Sequence, residues 1–228
     1  MKKLMFVFAG LMAFSIINGQ SLEEIIKKYS EANKLDQLSN LKTIKITSKS
    51  LVMGNEIQLE LWMKKPDKLK TVSEKDGNGT LTIYDGEKGY MVNYSGTSRI
   101  VNELTPEMIE AMNRQNMFEN CWIKFYDNGQ LSLEGEELVN ERPAFKVKAA
   151  LNEGITYLFI DKGSFLLVRQ STTSDMGETE LFPSDYRETN RVFLPMKTNS
   201  SLMGIDVTTT VTKVEVDIPM EDSIFRLK

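Results

Sequence analysis

Tight turns recur along this chain at short intervals, and that spacing constrains its fold more than any other feature. Runs of alternating apolar and polar residues are separated by Asp85-Gly86-Glu87-Lys88-Gly89, Asn140-Glu141-Arg142-Pro143, Asn152-Glu153-Gly154 and Asp161-Lys162-Gly163. Such connections join antiparallel neighbours, because a parallel pair needs a crossover of about a dozen residues or more. In one clear run Ile57, Leu59, Leu61 and Met63 alternate with Gln58, Glu60, Trp62 and Lys64, until Lys65-Pro66-Asp67 breaks it. Further strands are expected at 41–52, 68–75, 81–84, 90–94, 131–139, 144–151, 155–161, 165–173, 178–187, 192–200 and 206–216. The pattern predicts a mainly β, α+β chain: an antiparallel meander of about eleven strands.

Two helices interrupt it. Ser21 with Glu24 three residues later reads as a capping box, and Leu22, Ile25, Ile26, Tyr29 and Ala32 then share a face. Thr105-Pro106-Glu107 combines a hydroxyl cap, proline at the first helical position and an acidic first turn. That second helix carries Met108, Ile109 and Met112 and extends toward Met117 and Phe118. No linker, low-complexity stretch or internal repeat divides the chain, so residues 21–228 are expected to form one domain.

Residues 1–20 read differently. Lys2 and Lys3 precede fourteen uncharged residues, Leu4 to Ile17, and Gly19 offers a small cleavage position. At a rise of about 1.5 Å per residue that run is too short for a hydrocarbon core of about 30 Å. A secretory signal and a mature protein outside the cytoplasm, free in the periplasm, are expected. The only cysteine, Cys121, lies far from the cleavage position, so it offers neither a lipid attachment there nor an internal disulfide.

Composition narrows the chemistry. The chain has 28 Lys and Arg against 32 Asp and Glu, and loss of Lys2 and Lys3 makes the balance more acidic, which disfavours nucleic acid as a partner. It contains no histidine, which removes the Ser-His-Asp triad, the Cys-His pair and the HExxH zinc helix. Carboxylates remain: Glu134, Glu136 and Glu137 form one cluster, Asp175, Glu178 and Glu180 another. Neighbours on a strand point to opposite faces, so both clusters are read as solvated surface rather than catalytic pairs. Asp127 and Asn128 lack the ligand spacing of a calcium loop. No catalytic residue, metal or cofactor is expected. Against this, ten of the thirteen methionines follow position 20. Together with one-sided apolar strands they suggest a surface that is filled, covered or left to receive an apolar ligand.

Four stretches carry a resemblance. Lys65-Pro66-Asp67-Lys68-Leu69-Lys70 is similar to a "P-x-R-x-R" strand entry, and Ile83-Tyr84-Asp85-Gly86 with Gly89-Tyr90-Met91 to a "DG…W" hairpin. Tyr157 to Lys162 with Leu166 to Arg169 is similar to a "wID…l.r" pair. Val214 to Val216 with Ile218 to Phe225 is similar to an "N-x-x-hydrophobic-x-D-x-x-F" close. In this order they resemble the periplasmic lipoprotein-carrier superfamily, the outer-membrane lipoprotein-sorting proteins and their relatives. That resemblance implies an unclosed antiparallel half-barrel whose apolar concave face is lidded by helices and accepts acyl chains. It further implies a monomer without bond chemistry, serving a lipidated protein or small amphiphile between inner-membrane release machinery and an outer-membrane acceptor. A sensor module of the same fold, binding a partner protein, is the alternative. Lys68 and Lys70 stand where the family has arginine, and an ammonium cannot reproduce a guanidinium's planar contacts in a lid latch. The expected cavity wall is the face of Leu59, Leu61 and Met63 with Met91, beneath Met108, Ile109 and Met112.

Overall fold

The computed structural model describes residues 20–227 except 115, 152, 153, 175, 176 and 203. The expected signal lies outside these residues, as do Asp175 and the Asn152-Glu153 turn. Helices α1 (Leu22–Ala32) and α2 (Leu35–Ser39) open the described chain. Six strands follow: β1 (Thr43–Val52), β2 (Asn55–Lys64), β3 (Lys68–Lys75), β4 (Asn78–Tyr84), β5 (Gly89–Ser95) and β6 (Ser98–Glu103). Helices α3 (Pro106–Asn113) and α4 (Cys121–Asp127) form the middle segment. Seven strands close the chain: β7 (Leu131–Val139), β8 (Arg142–Leu151), β9 (Gly154–Asp161), β10 (Leu167–Ser174), β11 (Gly177–Thr189), β12 (Val192–Leu202) and β13 (Ile205–Val216), before a 3-10 turn at Asp222–Phe225.

All thirteen strands belong to one antiparallel sheet, in the order β6-β5-β4-β3-β2-β1-β13-β12-β11-β10-β9-β8-β7. It is a meander broken once, where β1 pairs with β13, and its outer strands β6 and β7 do not meet, so the barrel is unclosed. The expectation of about eleven strands is therefore corrected to thirteen. β6 was not foreseen: all six of its residues are exposed, so no buried face imprints an alternation on it.

The helix starts follow their sequence signals. Ser21 Oγ accepts from the Glu24 amide at 3.2 Å and Thr105 Oγ1 from that of Met108 at 3.3 Å. The Glu24 carboxylate pairs with Lys28 at 2.7 Å. α3 ends at Asn113, so Met117 and Phe118 lie beyond it rather than on it. α2 and α4 are further corrections, both too short to show a helical period. α4 is nevertheless capped, since Asn120 Oδ1 accepts from the amides of Trp122 and Ile123.

The helices share one face of the sheet. Ile25, Ile26 and Tyr29 of α1 pack with Leu131, Phe145, Val147, Ala149, Leu158 and Ile160 of β7–β9 in a first core, which α4 joins through Trp122, Ile123, Phe125 and Tyr126. Leu38 and Leu41 pack with Ile44, Ile46, Met63, Val192, Leu194, Val214 and Phe118 in a second. The segment between β6 and α4 crosses from one side of this face to the other. Leu104 begins the crossing against Gly89, where a Cβ would stand 2.5 Å from Leu104 Cδ1. Asn113 hydrogen-bonds the Tyr84 hydroxyl, Asn116 Nδ2 donates to the Pro66 carbonyl at 3.3 Å, and Phe118 then enters the second core.

Candidate functional site

Beneath the helices, against β10–β12, lies a cavity of about 290 Å³. Its helix side is formed by Tyr29, Asn33, Leu35 and Met117, and its sheet side by Leu167, Leu181, Pro183, Tyr186 and Phe193. Two of these walls depend on a local departure from flat sheet. The ladder between β12 and β13 runs only from Lys197↔Thr210 to Leu202↔Ile205. Beyond it, the β11–β12 tip continues as a two-stranded ribbon, past the left-handed residue Asp185 at φ 55°. Both sides of the ribbon are used. Val192 and Leu194 join the second core, Leu194 also bordering the cavity, while Tyr186 and Phe193, stacked at 5.8 Å, line it from the other side of the ribbon.

The polar groups of the cavity are held in neutral forms. Tyr186 donates from its hydroxyl to the Leu167 carbonyl at 2.9 Å, and burial lifts it above the usual phenol range. Burial also pushes Tyr29 up to about 12, although Asn120 hydrogen-bonds its hydroxyl. Cys121 is pushed up to about 11 by the same cause, so its thiol keeps its proton at neutral pH. Among the described lining residues Arg114 is the one charged group, and it pairs with Glu110 of α3 at 3.2 Å. The cavity is thus an apolar space, edged by uncharged hydrogen-bonding groups and one cation.

The seven residues expected to line the wall fall as follows. Leu59, Leu61, Met63 and Met91 do share the helix-covered face, because Leu61 pairs with Thr71, Thr71 with Thr82 and Thr82 with Met91. Met63 is 3% exposed within the second core, with Leu61 packed against it, while Leu59 and Met91 are half-buried. On α3, Ile109 and Met112 are half-buried and Met108 is exposed. None of the seven borders the 290 Å³ cavity, which belongs to the other half of the sheet. The strands that do border it were legible in the sequence, but Tyr186 and Phe193 are placed by the ribbon's bend, which leaves no periodic signal. Lys68 and Lys70 project from the face opposite the helices, where Lys68 pairs with Asp222 at 2.7 Å.

Members of both acidic clusters are engaged in ion pairs, those of Glu137 and Glu180 on that opposite face and that of Glu136 beside Phe145 at the edge of the helix-covered face. Glu137 binds Lys146 at 3.0 Å and Arg169 at 3.2 Å, Arg169 also binds Glu180, and Glu136 binds Lys162. Among the described residues no group of three or more potential ligands is placed to hold a metal ion. Nor is any helix among them long and apolar enough to cross a membrane.

No protein-family profile and no curated protein matches the sequence. Solved structures do match in shape. A DUF1329 family protein from Desulfovibrio piger superposes with a TM-score of 0.60 at 12% identity, covering 89% of this chain and 97% of that one. A domain of the outer-membrane lipoprotein-sorting type from Vibrio parahaemolyticus gives 0.60 at 9% identity, over 89% and 94%. A LolA superfamily protein from Nitrosomonas europaea gives 0.54 at 9% identity, over 85% and 96%. The chain has the lipoprotein-sorting fold. At such identities the likeness extends to architecture and not to cargo.

Proposed function

We propose that this protein is a periplasmic carrier that shields the acyl chains of a lipidated protein or another amphiphile during transfer toward the outer membrane, without bond chemistry. The observation that carries this reading is the apolar cavity under the helices, with Arg114 as its charged group. An acyl chain loses about 0.8 kcal/mol for each CH₂ left in water, so transfer through an aqueous compartment requires a sheath. A volume of about 290 Å³ lies at the lower edge of the range for ligand sites. A long chain would need more room, and α3, none of whose residues packs into either core, is the helix most easily displaced. Beneath it the wall would continue along Leu61, Leu59 and Met91, with Met63 at its base and Met108, Ile109 and Met112 on the displaced helix.

The test is titration of a fluorescent fatty acid into the parent, Leu181→Glu and Leu61→Glu, with circular dichroism as the control for folding. The parent should bind at micromolar affinity, about −8 kcal/mol. Leu181→Glu sets an unpaired charge against the acyl chain, at a cost of several kcal/mol, and should abolish binding. Leu61→Glu should weaken long chains more than short ones. A folded parent that binds no apolar probe, and carries no lipid by mass spectrometry after purification, would remove the basis of the reading.

A further inference from the structure

The face of the sheet opposite the helices holds a second, larger hollow of about 450 Å³, formed by β3–β6 and the C-terminal segment. Its floor is one row of aliphatic side chains laid straight across four strands. Val72 pairs with Leu81, Leu81 with Val92 and Val92 with Val101. At about 4.8 Å between strands the row spans roughly 14 Å. Ile83 extends the floor toward one strand end. Tyr94 walls it at the other, crossing to its partner Gly79, where a Cβ would come within 2.8 Å of the Tyr94 hydroxyl. Ile224 and Leu227 close the remaining side.

The C-terminal wall is anchored in place. Phe225 is 1% exposed, and Asp222 receives Lys64 and Lys68, each at 2.7 Å. These two lysines hold the Asp222 carboxyl down at about 2.

Charge gives the hollow its character. Among the described residues its lining contains Lys70, Arg99 and Arg226 and no carboxylate, in a chain whose formal net charge is −4. Arg226 shares Asp85 at 3.4 Å, and Glu74 outside the hollow accepts from the Tyr94 hydroxyl at 2.8 Å. Aliphatic floor and cationic rim together complement a molecule with an apolar tail and a negative head. We propose that this hollow is a second binding site, for a single-chain anionic amphiphile whose tail lies along the Val72–Leu81–Val92–Val101 row and whose head meets Arg99 and Arg226. The site is independent of the cavity beneath the helices and does not require it to bind.

The experiment uses the full mature chain and cis-parinaric acid, a fluorescent single-chain carboxylate, with its methyl ester as the uncharged control. Val101 and Arg99 lie on exposed β6, so Val101→Glu and Arg99→Glu should leave the circular dichroism spectrum unchanged. Each should weaken the acid at least tenfold, Arg99→Glu should leave the ester unaffected, and Leu181→Glu in the other cavity should leave this class of binding intact. Displacement by dodecanoate or by dodecyl phosphate distinguishes a carboxylate from a phosphate head, and either supports the site. Parent-like binding in both β6 variants, or no binding by the parent, overturns the proposal. Equal displacement by dodecanol overturns its anionic part. Loss of all binding in Leu181→Glu alone would favour the carrier cavity and eliminate this one.

Discussion

The two ends of the sheet are built on opposite plans. At β7–β9 the helix-covered face is continuous core: Val147, Ala149 and Ile160 are fully buried under α1 and α4. At β3–β6 the same face carries Thr71, Thr82, Met91 and Asn102 in one row and Ser73, Thr80, Asn93 and Ile100 in the next. There most aliphatic residues of the sheet have moved to the other face, and α3 contributes no residue to either core, whereas α4 packs four side chains against the first. One end therefore holds its helices by burial, and the other leaves both faces partly open. Any local opening of the molecule is expected from the less tightly packed end.

Three predictions sharpen or break the comparison. The largest effect is expected from the core pair. Leu158→Ala at the closed end should cost about 3 kcal/mol in urea unfolding, as for buried leucines generally, and Met91→Ala at the open end about 1 kcal/mol. Equal losses would abolish the distinction.

An intermediate effect is expected at Asp161, which closes the β9–β10 turn at the same end. Its carboxylate is 2% exposed and accepts from the Ser164 amide at 2.7 Å, the Ser164 hydroxyl at 2.8 Å, the Gly163 amide at 3.1 Å and Arg142 at 3.1 Å. Burial alone would raise its pKa, but these donors outweigh burial and hold it below the ordinary aspartate value. A depressed carboxyl stabilises the fold above the unfolded-state pKa of about 4, and that stabilisation is lost as pH falls through the lower folded-state value. Asp161→Asn should cost about 1–3 kcal/mol at pH 7. The gap to the parent should close as pH falls below about 4, and a gap independent of pH would assign the loss to packing instead.

The smallest effect is expected at the open end, from Asp222→Asn. Releasing Lys64 and Lys68 should leave the melting temperature nearly unchanged while hastening amide exchange and proteolysis around Phe225. An unaltered cleavage rate would show that Phe225 alone retains the segment.

Much of this architecture was legible without coordinates. Short Gly-, Asn- and Asp-rich connections dictate antiparallel neighbours, and the Ser21 and Thr105 hydroxyls mark their helix starts through bonds spanning three residues. Asp85 likewise accepts from the amides of Glu87 and Lys88 within its own turn. These are local interactions, so the types of residue involved determine them. The use of each face is another matter. Alternation separates Leu61 from Trp62 and Val72 from Thr71, but it is symmetric about the sheet and does not reveal which face the helices will cover. That decision rests on contacts distant in sequence: Ile46 with Val214, Tyr29 beside Tyr186 of β11, Phe118 in one core with Met63. It also rests on a bend at Asp185 that brings Tyr186 and Phe193 into the cavity, and on Asp222 reaching Lys68 across more than half the chain. Short-range chemistry set the strands and turns, and long-range packing alone decided which apolar surfaces would be buried and which left open.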